Sequence, residues 1–129
     1  MKRILVAFMI ASVVAISSGY VFAHHSFAAT YVEDKTSKIE GKLVQFVFRN
    51  PHSFVQLDAK EEDGNVTRWT VEWSGAGQLR DHGITRDSLR PGDYLVISGN
   101  PGRIAEDHRM RMRSMQRTSD GLKWSGNVD

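Results

Sequence analysis

The stretch from Val66 to Trp73 alternates apolar and polar side chains along its whole length. Trp69, Val71 and Trp73 fall on one face by a period of two, and Glu72 falls on the other. This alternation is typical of a strand that is packed on one side only. The chain is therefore predicted to contain a sheet with one buried and one solvated face.

Four further β-rich segments are separated from it and from one another by turn residues: 38–48, 53–60, 94–99 and 109–118. Between the third and fourth strands, a Gly-rich break and the segments 78–80 and 85–89 predict a short helical connection with Thr85 as an N-cap. This order is that of a five-stranded OB-type barrel. We predict an all-β fold, a small five-stranded OB-like barrel with a short helical connection between strands 3 and 4; a small sandwich is the alternative.

Within these strands the pattern leaves some orientations open. The first strand is apolar on both faces in its second half, and Gly41 offers a place for it to bend. In the fourth strand, the inward side chains are either Leu95 and Ile97 or Tyr94 and Val96. A long, bent first strand is what a small closed barrel requires.

The N-terminal residues have the three zones of a secretory signal. Lys2 and Arg3 give a positive start, the uncharged stretch 4–16 is almost wholly apolar, and small residues lead up to Ala23. The apolar stretch is shorter than the roughly 20 residues of a membrane helix. We predict a cleavable signal peptide over residues 1–23 and a periplasmic or secreted bacterial protein; the competing interpretation is a retained N-terminal anchor.

Cleavage would leave 106 of the 129 residues, enough for one domain. We divide them into an N-terminal arm (24–37), the barrel (38–125) and a C-terminal tail (126–129). The 17 Lys and Arg residues become 15, equal to the 15 Asp and Glu residues. A neutral mature protein argues against nucleic acid as a partner, because nucleic-acid binding relies on clustered cations. We also predict no stable membrane span after cleavage.

The chain has no cysteine. This excludes thiol catalysis, cysteine zinc sites, covalently attached c-type haem and lipid attachment at cysteine, and it leaves stability to the core. Neither Ser74 nor the Asp81–His82 pair has the neighbours of a nucleophile or its base. We therefore predict no catalytic residues.

The predicted cleavage would make His24 the first residue, with an α-amine beside its own imidazole. Two such nitrogens can chelate one metal ion, and nitrogen ligands favour Cu(II) among the common divalent ions. His25 would add an imidazole, and the remaining ligand would come from His52 or His108. The alternative is that the first two are solvated tail residues and that His52 is a turn residue.

The fifth strand carries a second set of candidate ligands. His108, Met110 and Met112 share one face, and three arginines share the other. Imidazole and thioether together suit Cu(I). The competing interpretation is that the methionines fill the core, with Met115 out of phase unless a bulge intervenes, and that the arginines form a solvated exterior.

Three aromatic residues could provide a binding surface instead. Phe46, Phe48 and Phe54 would gather on the outer face of the barrel, where OB-type barrels receive ligands. The N-terminal arm could equally cover them.

The chain also resembles a family of small exported bacterial proteins of unknown function. The matching segments are 23–27 (AHHSF), 50–52 (NPH), 69–72 (WTVE), 85–89 (TRDSL) and 91–93 (PGD). The resemblance implies export and a compact β fold, and it directs attention to His24, His25 and His52. Met110 and Met112 do not belong to its motif.

These observations lead to three hypotheses of function. The first is a non-enzymatic periplasmic module that binds copper through His24 with His25 or His52. The second is a metal-free accessory protein that docks on an exported or membrane partner through its barrel face. The third is a metal-dependent oxidoreductase that uses the same N-terminal site.

Overall fold

The computed structural model describes residues 27–128. The predicted signal peptide and the candidate ligands His24 and His25 lie outside the described residues. The chain divides into two compact units, Met1–Thr30 and Tyr31–Asp129. Residues 27–30, the described part of the first unit, are helical. Along residues 27–128, no helix is both long and apolar enough to cross a membrane.

The second unit is built mainly of strands. Their bounds are β1 Ser37–Val47, β2 Ser53–Lys60, β3 Val66–Trp73, β4 Tyr94–Pro101, β5 Arg109–Arg117 and β6 Lys123–Ser125. A helix, α1 (Ala76–Asp81), follows β3, and a 3-10 turn (Ala105–Asp107) precedes β5.

The strands are ordered β3-β2-β1-β4-β5-β6, and a parallel pairing between β3 and β5 closes the first five into a barrel. The other pairings between strands are antiparallel. The predicted five-stranded OB-like barrel, with its short helix between strands 3 and 4, is confirmed.

A bulge in β1 decides which aromatic side chains are inside the barrel. Leu43 pairs with Leu57, but the next pairing is between Gln45 and Gln56, so Val44 is an extra residue. The bulge shifts the inward positions by one, and Phe46 joins Leu43 on the inner face, 5.7 Å from the Trp73 ring. An added residue also lets a long strand bend.

The prediction that three aromatic side chains lie on the outer face is therefore wrong for two of them, Phe46 and Phe48. Phe46 packs inside against Trp73, and the Phe48 side chain is buried with its ring edge-on to Phe46. Phe54 lies on the outer face, where the guanidinium carbon of Arg49 lies 5.1 Å from the centre of its ring.

Strands β4 and β5 show which of their side chains point into the barrel. Leu95 and Ile97 are fully buried, so they are the inward residues of β4. A second irregularity lies between β4 and β5, because Ser98 pairs with Ser114 while Gly99 pairs with Met112. The extra residue brings Met115 into phase with the other two methionines of β5.

Met110, Met112 and Met115 are accordingly all buried. The structure supports core filling for the β5 methionines, since each is surrounded by the apolar interior rather than facing a histidine cluster.

The helix forms at Ala76–Asp81, just after the Gly75 break. The predicted N-cap at Thr85 is wrong, because residues 85–88 form a turn. The Thr85 N–H donates to Ser88 Oγ at 2.8 Å, and the Ser88 N–H donates to the Thr85 carbonyl at 3.0 Å. Leu79 and Ile84 are buried beneath this connection, so it is held by its apolar side chains.

The end of the chain packs on β5. Arg111 donates to the Val128 carbonyl and Arg113 to the Asn127 side chain, and Val128 is fully buried. Arg111 is itself buried, so the expectation of a solvated arginine face is wrong for this residue.

The turn after β5 gives a first testable prediction. Hydrogen bonds from Arg117 hold the pKa of the Asp120 carboxyl at about 2, below its usual value of 3.8. A lowered pKa stabilises the folded state above the unfolded pKa, and this contribution disappears as the pH falls from about 4 to about 2. In an NMR titration we expect Arg117→Gln to return the Asp120 pKa toward 4. An unchanged pKa in this variant would contradict the assignment.

Candidate functional site

Glu72 lies on the outer face of β3, yet it is only 9% exposed. Its Oε1 is 2.6 Å from His52 Nδ1, and its Oε2 accepts a hydrogen bond of 2.5 Å from the Tyr31 hydroxyl. One carboxylate thus joins a histidine from the β1–β2 loop to a tyrosine that precedes β1. The three residues are the candidate site.

The loop that carries His52 is fixed to α1. The Arg49 carbonyl accepts from the Ala76 N–H at 3.0 Å, and Asn50 Oδ1 accepts from the Gly77 N–H at 3.2 Å. A side chain at Gly75 would overlap the Pro51 carbonyl, so this close approach requires glycine. His52 therefore extends from a loop that two hydrogen bonds, both donated by backbone N–H groups of α1, hold near the end of β3.

Tyr31 is held by the end of β4. It forms a β-bridge with Gly102, and the Val32 N–H donates to the Pro101 carbonyl at 2.9 Å. Burial and the hydrogen bond to Glu72 raise the pKa of the Tyr31 hydroxyl. The hydroxyl therefore stays protonated at neutral pH and donates to Glu72.

Arg111 adds a positive charge beside this group. It pairs with Glu72 across the β3–β5 ladder, and its guanidinium donates to Glu33 Oε1 at 3.1 Å. Arg111 is thus the buried cation on the strand beside Glu72, whose own two oxygens contact His52 and Tyr31.

The contact with Glu72, when that side chain is a carboxylate, fixes the tautomer of His52. A carboxylate can only accept hydrogen bonds, so Nδ1 carries the proton and donates it. In a neutral imidazole, the lone pair then lies on Nε2. A histidine oriented by a carboxylate in this way is the usual arrangement of a metal ligand, because the carboxylate fixes the ring and raises its basicity.

The second candidate, His108, lies elsewhere. Arg109 pairs with Thr70, which places His108 beside Trp69 at a ring-centre distance of 5.4 Å. His52 instead precedes Ser53, which pairs with Trp73 on the other edge of β3. The four residue steps from Trp69 to Trp73 along β3 span roughly 13 Å at about 3.3 Å per residue.

The structure therefore does not bring His52 and His108 together, since two nitrogens that share one ion must each lie about 2 Å from it. Among the residues that the structure describes, His52 is the histidine of the two that contacts a carboxylate, that of Glu72. Within residues 27–128, no group of three His, Asp or Glu side chains is placed to hold a metal ion.

Sequence reasoning did not select Tyr31 or Glu72. It placed Glu72 on a solvated face of β3, because strand alternation shows which face a residue occupies but not what covers that face. The available signal was its position in the WTVE segment of the resemblance.

A family model described as a family of unknown function, DUF6152, matches residues 11–111. The chain belongs to the DUF6152 family. This confirms the resemblance to an uncharacterised family. The DUF6152 match includes the predicted N-terminal ligands and the three residues of the candidate site. No curated protein matches the chain.

Proposed function

We propose that this DUF6152 protein is an exported, non-enzymatic copper-binding module in which His24 and His52 are ligands. The observation that carries the proposal is the contact of 2.6 Å between His52 Nδ1 and Glu72. It presents the other ring nitrogen, Nε2, as the one with a lone pair for a metal ion.

The N-terminal residues supply the other ligands in this proposal. Cleavage after Ala23 creates the α-amine of His24, and that amine with the neighbouring imidazoles of His24 and His25 forms a nitrogen-rich set. Nitrogen ligands of this kind bind Cu(II) more strongly than the neighbouring divalent ions.

The docking alternative has weaker support. It relied on an aromatic barrel face, but Phe46 and Phe48 pack inward and leave Phe54 as the outer member. The copper-binding proposal therefore explains more of the observed geometry.

The test is a calorimetric titration of Cu(II) into two forms of the protein. One form begins at His24, as verified by intact mass, and the other carries the four extra residues Gly-Ser-Gly-Ser before it. We expect at least tenfold weaker binding to the extended form, because the extension converts the His24 α-amine into an amide and moves both histidines out of the first three positions, where a histidine chelates together with the chain's α-amine. Equal affinities, or no binding to either form, would refute the N-terminal chelate.

His52→Ala is the second variant in this test. We expect it to weaken Cu(II) binding in the His24-start form, whereas the exposed His82→Ala serves as a matched control and should bind copper normally. If the extended form binds Cu(II) more weakly and His52→Ala does not, the copper site consists of N-terminal residues alone and His52 is not a ligand.

A further inference from the structure

A groove of about 830 Å³ lies at the N-terminal end of β3, which is the end opposite α1. The β2–β3 hairpin forms one wall and the β4–β5 loop forms another. His52, Glu72 and Tyr31 do not line it. Its volume lies in the range of roughly 300–1,000 Å³ that is typical of small-molecule sites.

Trp69 is the half-buried aromatic side chain of this groove. Its indole N–H donates to Glu61 Oε1 at 3.0 Å, and the His108 ring contacts it edge-on. These two partners fix the orientation of the indole. Because its N–H is already bonded, Trp69 offers a ligand its apolar ring.

The backbone of His108 supports the same interpretation. Its φ of 46° lies in the left-handed region, which is unfavourable for a residue with a Cβ. The His108 carbonyl accepts from the Thr70 N–H at 3.0 Å, and its N–H donates to the Ala105 carbonyl at 3.2 Å. Such backbone conformations persist where the surroundings enforce them, and they cluster at binding sites.

The charged groups of the groove indicate the class of ligand. Three cationic side chains line it, and so do four carboxylates: Lys38, Lys60, Arg109, Glu40, Glu61, Glu62 and Asp63. This set has no excess of positive charge, which disfavours a phosphate-rich ligand. It provides donors and acceptors around one apolar ring, and these suit hydroxyl groups, because each hydroxyl both donates and accepts.

We infer that this groove binds a neutral oligosaccharide, with Trp69 as the ring against which one sugar stacks. A pyranose has an apolar C–H face for the indole and a rim of hydroxyls for the charged side chains. The groove is lined by strands 2 and 3 and by the β4–β5 loop, which are elements through which OB-type barrels bind oligosaccharides. This site is independent of the proposed copper ligands.

The test follows the backbone amide signals of the groove residues by NMR in every variant, and also the Trp69 indole N–H signal where that side chain is present, while cellotetraose, chitotetraose or maltotetraose is added. We expect saturable shifts with at least one of the three sugars, and an affinity at least tenfold lower for Trp69→Ala. Trp69→Phe retains an aromatic ring and is expected to restore most of the binding. Arg86→Ala, an exposed residue outside the groove, is the matched control and should bind like the unmodified protein.

Three outcomes would overturn the inference. They are the absence of Trp69 shifts with all three sugars, equal binding by a folded Trp69→Ala variant, and tighter binding of the acidic tetragalacturonate than of any neutral sugar. Circular dichroism of each variant verifies folding, and Trp69→Phe keeps the test valid if Trp69→Ala does not fold.

Discussion

Cu(II) affinity is expected to fall about 10–100-fold when Glu72 is replaced by glutamine, which is the usual effect of losing a carboxylate that orients a metal-binding histidine. Glu72 accepts hydrogen bonds from both Tyr31 and His52 through its two oxygens. Glutamine has a single acceptor oxygen, so one of these donors loses its acceptor. The imidazole of His52 then loses the carboxylate that fixes its orientation and tautomer.

The matched control for this change is Glu33→Gln, because Glu33 is a carboxylate of the same network that contacts Arg111 rather than a histidine. Its side chain is 48% exposed, so the substitution should leave both folding and copper affinity unchanged. Calorimetry on the His24-start form measures both variants. Full affinity in a folded Glu72→Gln protein would show that Glu72 does not orient a copper ligand, even if the N-terminal extension still weakens binding.

Trp73→Ala is expected to lower the free energy of unfolding by about 3–5 kcal/mol, the usual cost of truncating a buried aromatic side chain. Trp73 is fully buried, and its ring lies 5.7 Å from Phe46 and 5.3 Å from Trp124. Within residues 27–128, its indole nitrogen has no hydrogen-bond partner. The loss therefore comes from packing and from the cavity that the substitution leaves.

Guanidinium denaturation followed by circular dichroism measures this loss. Val66→Ala on the same strand is the control, because Val66 is 65% exposed and its truncation should change stability by less than about 0.5 kcal/mol. A loss below about 1 kcal/mol for Trp73→Ala would contradict the central position of this ring in the barrel.

The sequence predicted the strands well where a single pattern controls them. The bounds of β2 and β3 coincide with the predicted segments, because strict alternation and the polar hairpin between them are local signals. It did not predict the bulge in β1, and it left open whether a bulge interrupts β5. A bulge adds one residue to one strand, and its position depends on the partner strand rather than on local composition.

The candidate site shows the same limit. Histidines and a predicted new N-terminus are visible in the sequence, so His24, His25, His52 and His108 could be selected as candidate ligands. The separation of His52 from His108 could not be predicted, because it depends on which edge of β3 each neighbouring strand occupies.

By itself, the sequence determined the order of strands, the place of the short helix and therefore the class of barrel, since these follow from alternation and turn residues that act over a few positions. Only the tertiary structure decided that Glu72 is covered and shared by Tyr31 and His52, which are 41 and 20 residues away along the chain. The physical reason is that strand alternation sets the face of a side chain, whereas the pairing of distant segments sets its neighbours.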